Sequence, residues 1–163
     1  MNDLNDRFSD FFYSAVRLNT EINYKTINEL LESKAITSYR ELADQDKLKS
    51  LAEEENGLSE ETTVRIKKLI DSYPQIKGIA DGYIKIAETN GIGVVSCEDE
   101  EYPYNWKVQT GMPKVFYYRG KYDILDKMTL GGSVAVVGAR DPSKYAVYAT
   151  EKFCSEFGNK GIT

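Results

Sequence analysis

Gly138, Ala139 and Arg140, with Ser143 and Lys144 close behind, are the residues of this sequence best suited to holding an anion. They follow an apolar run, Ser133 to Gly138 (SVAVVG), and lead into DPSKYAVYATEKFCSEFGNKG, where Ala146, Ala149, Phe153 and Phe157 fall on one helical face. A strand, a glycine turn and a helix start make a phosphate cradle. The glycine lets the backbone come close, the first helical amides point at the ligand, and the macrodipole adds partial positive charge. Arg140 brings a full charge on a two-pronged guanidinium, and Lys144 stands where it can meet a neighbouring phosphate. Asp141 or Ser143 can cap the helix, and Gly158 or Gly161 can end it. Alone, the pattern is common: many buried strands end in glycine and many turns expose an arginine.

The residues that are lacking narrow the chemistry further. There is neither the GxGxxG of dinucleotide binders nor the GxxxxGK[ST] of P-loop enzymes, so a nicotinamide cofactor and ATP hydrolysis have no support. The chain has no histidine, and Cys97 and Cys154 are far apart without a CxxC spacing, which disfavours a zinc site or a catalytic triad. With no nucleophile, base or metal set in sight, the sequence reads as a binding protein without a cofactor rather than an enzyme.

The elements that must position the turn belong to the second of two halves. From Phe8 to about Glu88 apolar residues recur at spacings of three and four, as in Phe8, Phe11, Phe12, Ala15 and Val16, which predicts helices over 8–18, 24–34, 38–44, 45–54, 59–71 and 75–89. Ser38, Asp44 and Ser59 are the expected N-caps. Thr62 stands where a capping box at Ser59 wants an acidic or amide side chain, so that box is incomplete. Gly57 and Pro74 are expected to bound the helix over 59–71. Three β-rich runs follow, Gly91 to Ser96, Pro113 to Tyr118 and Ser133 to Gly138. The last is apolar without alternation, as in a strand buried on both faces of a parallel sheet. The fold class is therefore α/β, with an all-helical bundle over 1–89, an α/β half over 90–163, and a boundary near Thr89 to Gly93.

A chain of 163 residues, 41% of them hydrophobic, can bury a core. No apolar run approaches the roughly 20 residues a membrane-spanning helix needs, and MNDLNDRFSD lacks the pattern of a signal peptide, so a cytoplasmic protein with no membrane partner is expected. The net charge of −5 argues against gripping nucleic acid by bulk electrostatics; any DNA site must be local. The acidic stretches 53–61 and 97–101 read as solvated surface. Tyr102, Tyr104, Trp106 and Phe116 to Tyr118 invite base stacking, but their strand alternation favours core packing for at least some of them.

Three segments in register resemble the DNA-processing protein A (DprA/Smf) family, together covering roughly Asn90 to Thr163. NGIGVVSCEDEEYPYNW is similar to the family's glycine, short strand, acidic turn and Tyr-Pro pair, here Tyr102 and Pro103. GMPKVFYYRG is similar to its proline, apolar-aromatic strand and terminal glycine, and SVAVVGARDPSKYAVYATEKFCSEFGNKGIT to its first Rossmann strand, Val-Gly-Ser/Ala-Arg turn and following helix. The resemblance implies an extended Rossmann-like domain that binds single-stranded DNA and helps load a RecA-type recombinase during uptake or repair of DNA. It also implies DNA phosphate contacts at Gly138, Ala139 and Arg140, with Ser143 and Lys144 following. The helical half resembles the family's N-terminal (SAM-like) bundle more loosely. Arg17 to Asn23 stands where many relatives have a glycine-rich hairpin, and it has no glycine, so a packing or interaction role is expected there.

The family continues past its Gly-Ile into further strands, whereas this sequence reads Gly161-Ile162-Thr163, which implies an incomplete Rossmann-like sheet. The strand 133–138 would then have an open edge, hidden by the helix over 143–158 or paired with a second copy in a homo-oligomer. Two alternatives stay open: a nucleotide-sensing Rossmann-like module, and a protein-interaction domain that does not bind DNA.

Overall fold

The computed structural model describes residues 4–20, 22–53, 57–120 and 134–162. Its contacts divide the chain into two compact units, one formed by 1–94 with 115–119 and the other by 95–114 with 120–163.

The first unit is built on helices. After a 3-10 turn at Leu4–Arg7 come α1 (Phe8–Asn19) and α2 (Tyr24–Glu32), a second 3-10 turn at Tyr39–Ala43, α3 (Gln45–Glu53) and α4 (Glu60–Asn90). The three- and four-residue spacing of α1 buries Phe11, Phe12, Ala15 and Val16. They pack on α4 and on the Tyr39–Ala43 turn, while α3 packs on α4 as well. Ile27, Leu30, Leu42, Leu48, Ile66 and Leu69 complete the core, each at 1% exposure or less. Burial of side chains of this size contributes about 1.5–3 kcal/mol each before conformational entropy is set against it.

Local polar signals set the ends of these elements. Ser38 caps its 3-10 turn in a complete capping box with Glu41. The Asp44 carboxylate accepts the Asp46 and Lys47 amides at 2.9 and 3.1 Å, and Ser59 Oγ accepts the Thr62 amide at 3.3 Å. Gly91, in the left-handed region at φ 61°, closes α4.

The helix expected to end before Pro74 continues past it. Pro74 does not divide two helices; α4 runs through it without a break. An interior proline removes one ladder bond and costs about 3 kcal/mol in isolation. Buried side chains anchor both flanks of Pro74, Ile66 and Leu69 before it and Ile76 and Ala80 after it. Pro74 itself is on the exposed side, where water can take up the carbonyl it leaves unbonded.

A buried carboxylate fastens the second 3-10 turn to α1. Asp10, 1% exposed, accepts hydrogen bonds from Tyr39 Oη at 2.6 Å and from Arg40 Nε and Nη2 at 2.9 and 3.3 Å. Arg7 Nε forms an ion pair at 2.7 Å with Asp10 Oδ2, the oxygen that Arg40 Nη2 also reaches. Two guanidiniums and a phenol thus compensate the desolvated charge.

Strands β1 (Ile92–Ser96) and β2 (Val115–Arg119) form a two-stranded sheet. Gly93 faces Tyr118, and the Cys97 amide donates to the Lys114 carbonyl at 2.7 Å, so the numbering of partners runs in opposite directions and the pairing is antiparallel. The Tyr118 ring lies where a Cβ on residue 93 would be, which makes glycine a packing requirement at that position. From the adjacent residue of β2, Tyr117 sets its ring, tilted by 38°, 5.6 Å from that of Phe11 and donates its hydroxyl to Ser14 Oγ at 2.6 Å. Tyr117 thus packs through one side of its ring while staying 43% exposed, and no residue of β2 is fully buried.

In the second unit Ser96 and Asp99 close a turn, with the Ser96 amide donating to Asp99 Oδ2 at 2.7 Å. Tyr102 is buried, donates its hydroxyl to the Pro113 carbonyl at 2.6 Å, and meets the edge of Trp106 from α5 (Tyr104–Lys107), a single turn of helix. The last element is α6 (Lys144–Asn159).

The strand expected over 133–138 is not formed over its described residues. Ser133 lies outside the described residues, and 134–139 carry no regular secondary structure. Val134, Val136 and Val137 are 46, 51 and 91% exposed, so α6 does not hide the run. A strand buried on both faces exists only with ladder partners on its edges, and none of the described segments pairs with this one. The described residues therefore combine helices with one small antiparallel sheet and contain no parallel sheet.

Candidate nucleic-acid interface

The turn 138–144 belongs to the second unit and is solvent-exposed throughout. Ser143, not Asp141, caps α6: its backbone is extended (φ −66°, ψ 157°) and its Oγ accepts the Ala146 amide at 3.2 Å. The first intrahelical bond runs from the Val147 amide to the Ser143 carbonyl at 3.1 Å, which leaves the Lys144 and Tyr145 amides ahead of the ladder at the positive end of the macrodipole. At the other end Gly161, at φ 70°, and the Ile162 amide, which donates to the Phe157 carbonyl at 2.9 Å, terminate the helix as Gly-based caps do.

Arg140 precedes the cap by three residues and Lys144 is the first residue of the helix. With Asp141 between them, the stretch from Gly138 to Lys144 carries one net positive charge in a chain whose total is −5. Gly138 has no atom within 4 Å of where a Cβ would be and does not adopt positive φ, so local packing places no demand for glycine there. An open glycine, a capped helix start and two cations can together receive one or two phosphate oxygens on backbone amides and side-chain charge. All five residues singled out from sequence thus lie on one short exposed segment. On the apolar face of α6, Ala146, Ala149 and Phe157 are half-buried, while Phe153 is 62% exposed with its ring 6.2 Å from that of Phe157.

Among the described residues no group of histidine, cysteine, aspartate or glutamate is placed to hold a metal ion, and no helix is long and apolar enough to cross a membrane.

A concave feature takes in Leu18, Asn19, Thr20 and Ile22, from the stretch for which a packing or interaction role is expected. It lies in the first unit, where the turn between α1 and α2 meets one face of α4. The signal that could have found it is the stripe Arg65, Lys68, Leu69 and Ser72, which mixes cations, a hydroxyl and a core leucine at helical spacing.

Residues 93–163 match the family model described as DNA recombination-mediator protein A. The match takes in, from Gly93 on, the first of the three segments on which the resemblance to the DNA-processing protein A family rests, and the whole of the other two, including the turn 138–144; residues 1–92 lie outside it. No curated protein and no solved structure matches the chain.

Proposed function

We propose that this chain binds single-stranded DNA in DNA processing and recombination, receiving phosphates at Gly138, Ala139 and Arg140, with Ser143 and Lys144 extending the contact. The observation that carries this reading is a coincidence of position: the one capped helix start preceded by Gly-Ala-Arg falls inside the segment that matches a recombination-mediator family. The chemistry is non-covalent. Amides of the α6 N-terminus and the guanidinium of Arg140 neutralise phosphate charge, and the open backbone at Gly138 permits close approach. Binding of this kind does not read sequence and weakens as salt rises.

In this proposal residues 90–163 are the leading portion of a Rossmann-like DNA-processing domain, and residues 1–89 form a SAM-like helical bundle with an interaction role. A RecA-type recombinase is the partner expected to receive the bound strand, in the cytoplasm. Photo-crosslinking with an oligo-dT containing 5-iodouracil tests the placement. Crosslinks should map to peptides within 134–152 and fade as salt rises; crosslinks confined to the helical unit would contradict it.

A further inference from the structure

We infer that one side of α6 is a base-stacking platform for single-stranded DNA, with Tyr145 and Tyr148 as its rings and Lys144 and Lys152 as the cations beside them. The inference rests on the reading of the turn 138–144 as a phosphate site. Lys144, Tyr148 and Lys152 follow one another every four residues, about 40° apart around the helix and about 6 Å apart along it. A cation, a ring and a second cation thus form one row. Tyr145 stands three residues before Tyr148, beside the same row, and the two tyrosines are 78 and 59% exposed. Among the described residues neither ring meets another ring, and neither hydroxyl is hydrogen-bonded.

The row is turned away from the face by which α6 packs. Tyr148 and Phe153, five residues apart, fall about 140° apart around the helix, so an element covering Ala149, Phe153 and Phe157 leaves Tyr148 in solvent. Lys144 and Lys152 form no ion pair among the described residues, although Glu151 and Glu156 share their helix. From Arg140 to Lys152 the cations Arg140, Lys144 and Lys152 outnumber the carboxylates Asp141 and Glu151, in a chain whose net charge is −5. Uncommitted cations alternating with bare rings are the complement of a polymer that alternates anions with flat aromatic groups. Single-stranded DNA is such a polymer, and every base offers a π-face whatever its identity. A peptide takes hold through side chains seated in pockets, whereas the side of a single helix is convex; a planar base needs only the face of a ring. Lys144 belongs both to the turn and to the row, so one strand can follow the two.

Fluorescence anisotropy of two labelled strands of equal length, oligo-dT and its abasic counterpart, separates stacking from phosphate contact. The proteins are wild type, the double variant Tyr145→Leu/Tyr148→Leu, Tyr148→Trp and Arg140→Ala. Leucine keeps a good helix former without a π-face, and far-UV circular dichroism verifies that each variant folds. Wild type should bind oligo-dT at least about fivefold more tightly than the abasic strand, the lower end of what stacking on one ring gives. The double variant should lose that preference with its affinity for the abasic strand unchanged, and Tyr148→Trp should keep it. A double variant that binds oligo-dT as tightly as wild type would overturn the platform, and if Arg140→Ala still weakens both strands the phosphate turn stands without it. Wild type that binds oligo-dT, the abasic strand and poly-glutamate alike would show charge acting alone and overturn the platform too. Wild type that binds neither strand would overturn the reading of the turn and the platform with it.

Discussion

The carboxylate of Glu29, on α2, accepts the backbone amide of Ser59 at 2.6 Å, although thirty residues separate them in the chain. The Ser59 and Thr62 hydroxyls donate to its other oxygen at 2.9 and 2.6 Å. This is the bond that the third helical residue makes in a capping box, supplied here from another helix because residue 62 is a threonine. One contact thus caps α4 and ties it to α2.

Glu29 should therefore couple stability to pH. The Thr62 hydroxyl, first, and then the Ser59 amide hold its carboxyl below the ordinary carboxylate range. A depressed acid contributes stability above its unfolded pKa and loses it as pH falls through the folded one. Glu29→Ala should cost about 1 kcal/mol at pH 7, the usual worth of a cap. Urea melts of both proteins between pH 7 and pH 3 should show that gap closing on acidification. A gap that stays constant with pH would show that the carboxylate charge is not involved.

Asp10 should be the most sensitive polar position of the first unit. Asp10→Ala leaves Arg7 and Arg40 without their shared buried counter-charge and should cost about 3–5 kcal/mol in urea unfolding. Arg40→Ala keeps the Arg7 and Tyr39 contacts, so a smaller loss is expected. A cost below 1 kcal/mol for Asp10→Ala would mean that the carboxylate is effectively solvated.

Gly93 and Tyr118 should be coupled. Gly93→Ala pushes a methyl into the Tyr118 ring and should cost about 1–3 kcal/mol, as overpacking does. In the Tyr118→Ala background the same substitution should be nearly neutral. A double-mutant cycle with no coupling energy would separate the glycine from the ring.

Much of the first unit is legible in the sequence because it is local. Helical spacing fixes α1 to α3 within two residues, and Ser38, Asp44 and Ser59 act as caps because a cap bonds to amides only a few residues on. Pro74 misleads because its local preference to break a helix is outweighed by packing of Leu69 and Ile76 on either side. The run 133–138 misleads for the opposite reason: its apolar, β-branched composition describes a strand, but a strand is a property of a pair. The Glu29–Ser59 bond, the Asp10 cluster and the groove at Arg65 join residues far apart in the chain, and no spacing rule links them. The turn 138–144 was legible because its residues are contiguous. Its capping residue was not, since Asp141 and Ser143 satisfy the same pattern and only the observed backbone distinguishes them.

The role of Arg140 in holding DNA is decided by fluorescence anisotropy of a labelled oligo-dT against the wild-type chain and Arg140→Ala, at low and at moderate salt. Binding by the wild type should be salt-sensitive and weakened at least tenfold in the variant, with the slope of log affinity against log salt reduced by about 0.7 for the phosphate contact removed. Equal affinity and equal salt dependence in the two proteins would contradict it.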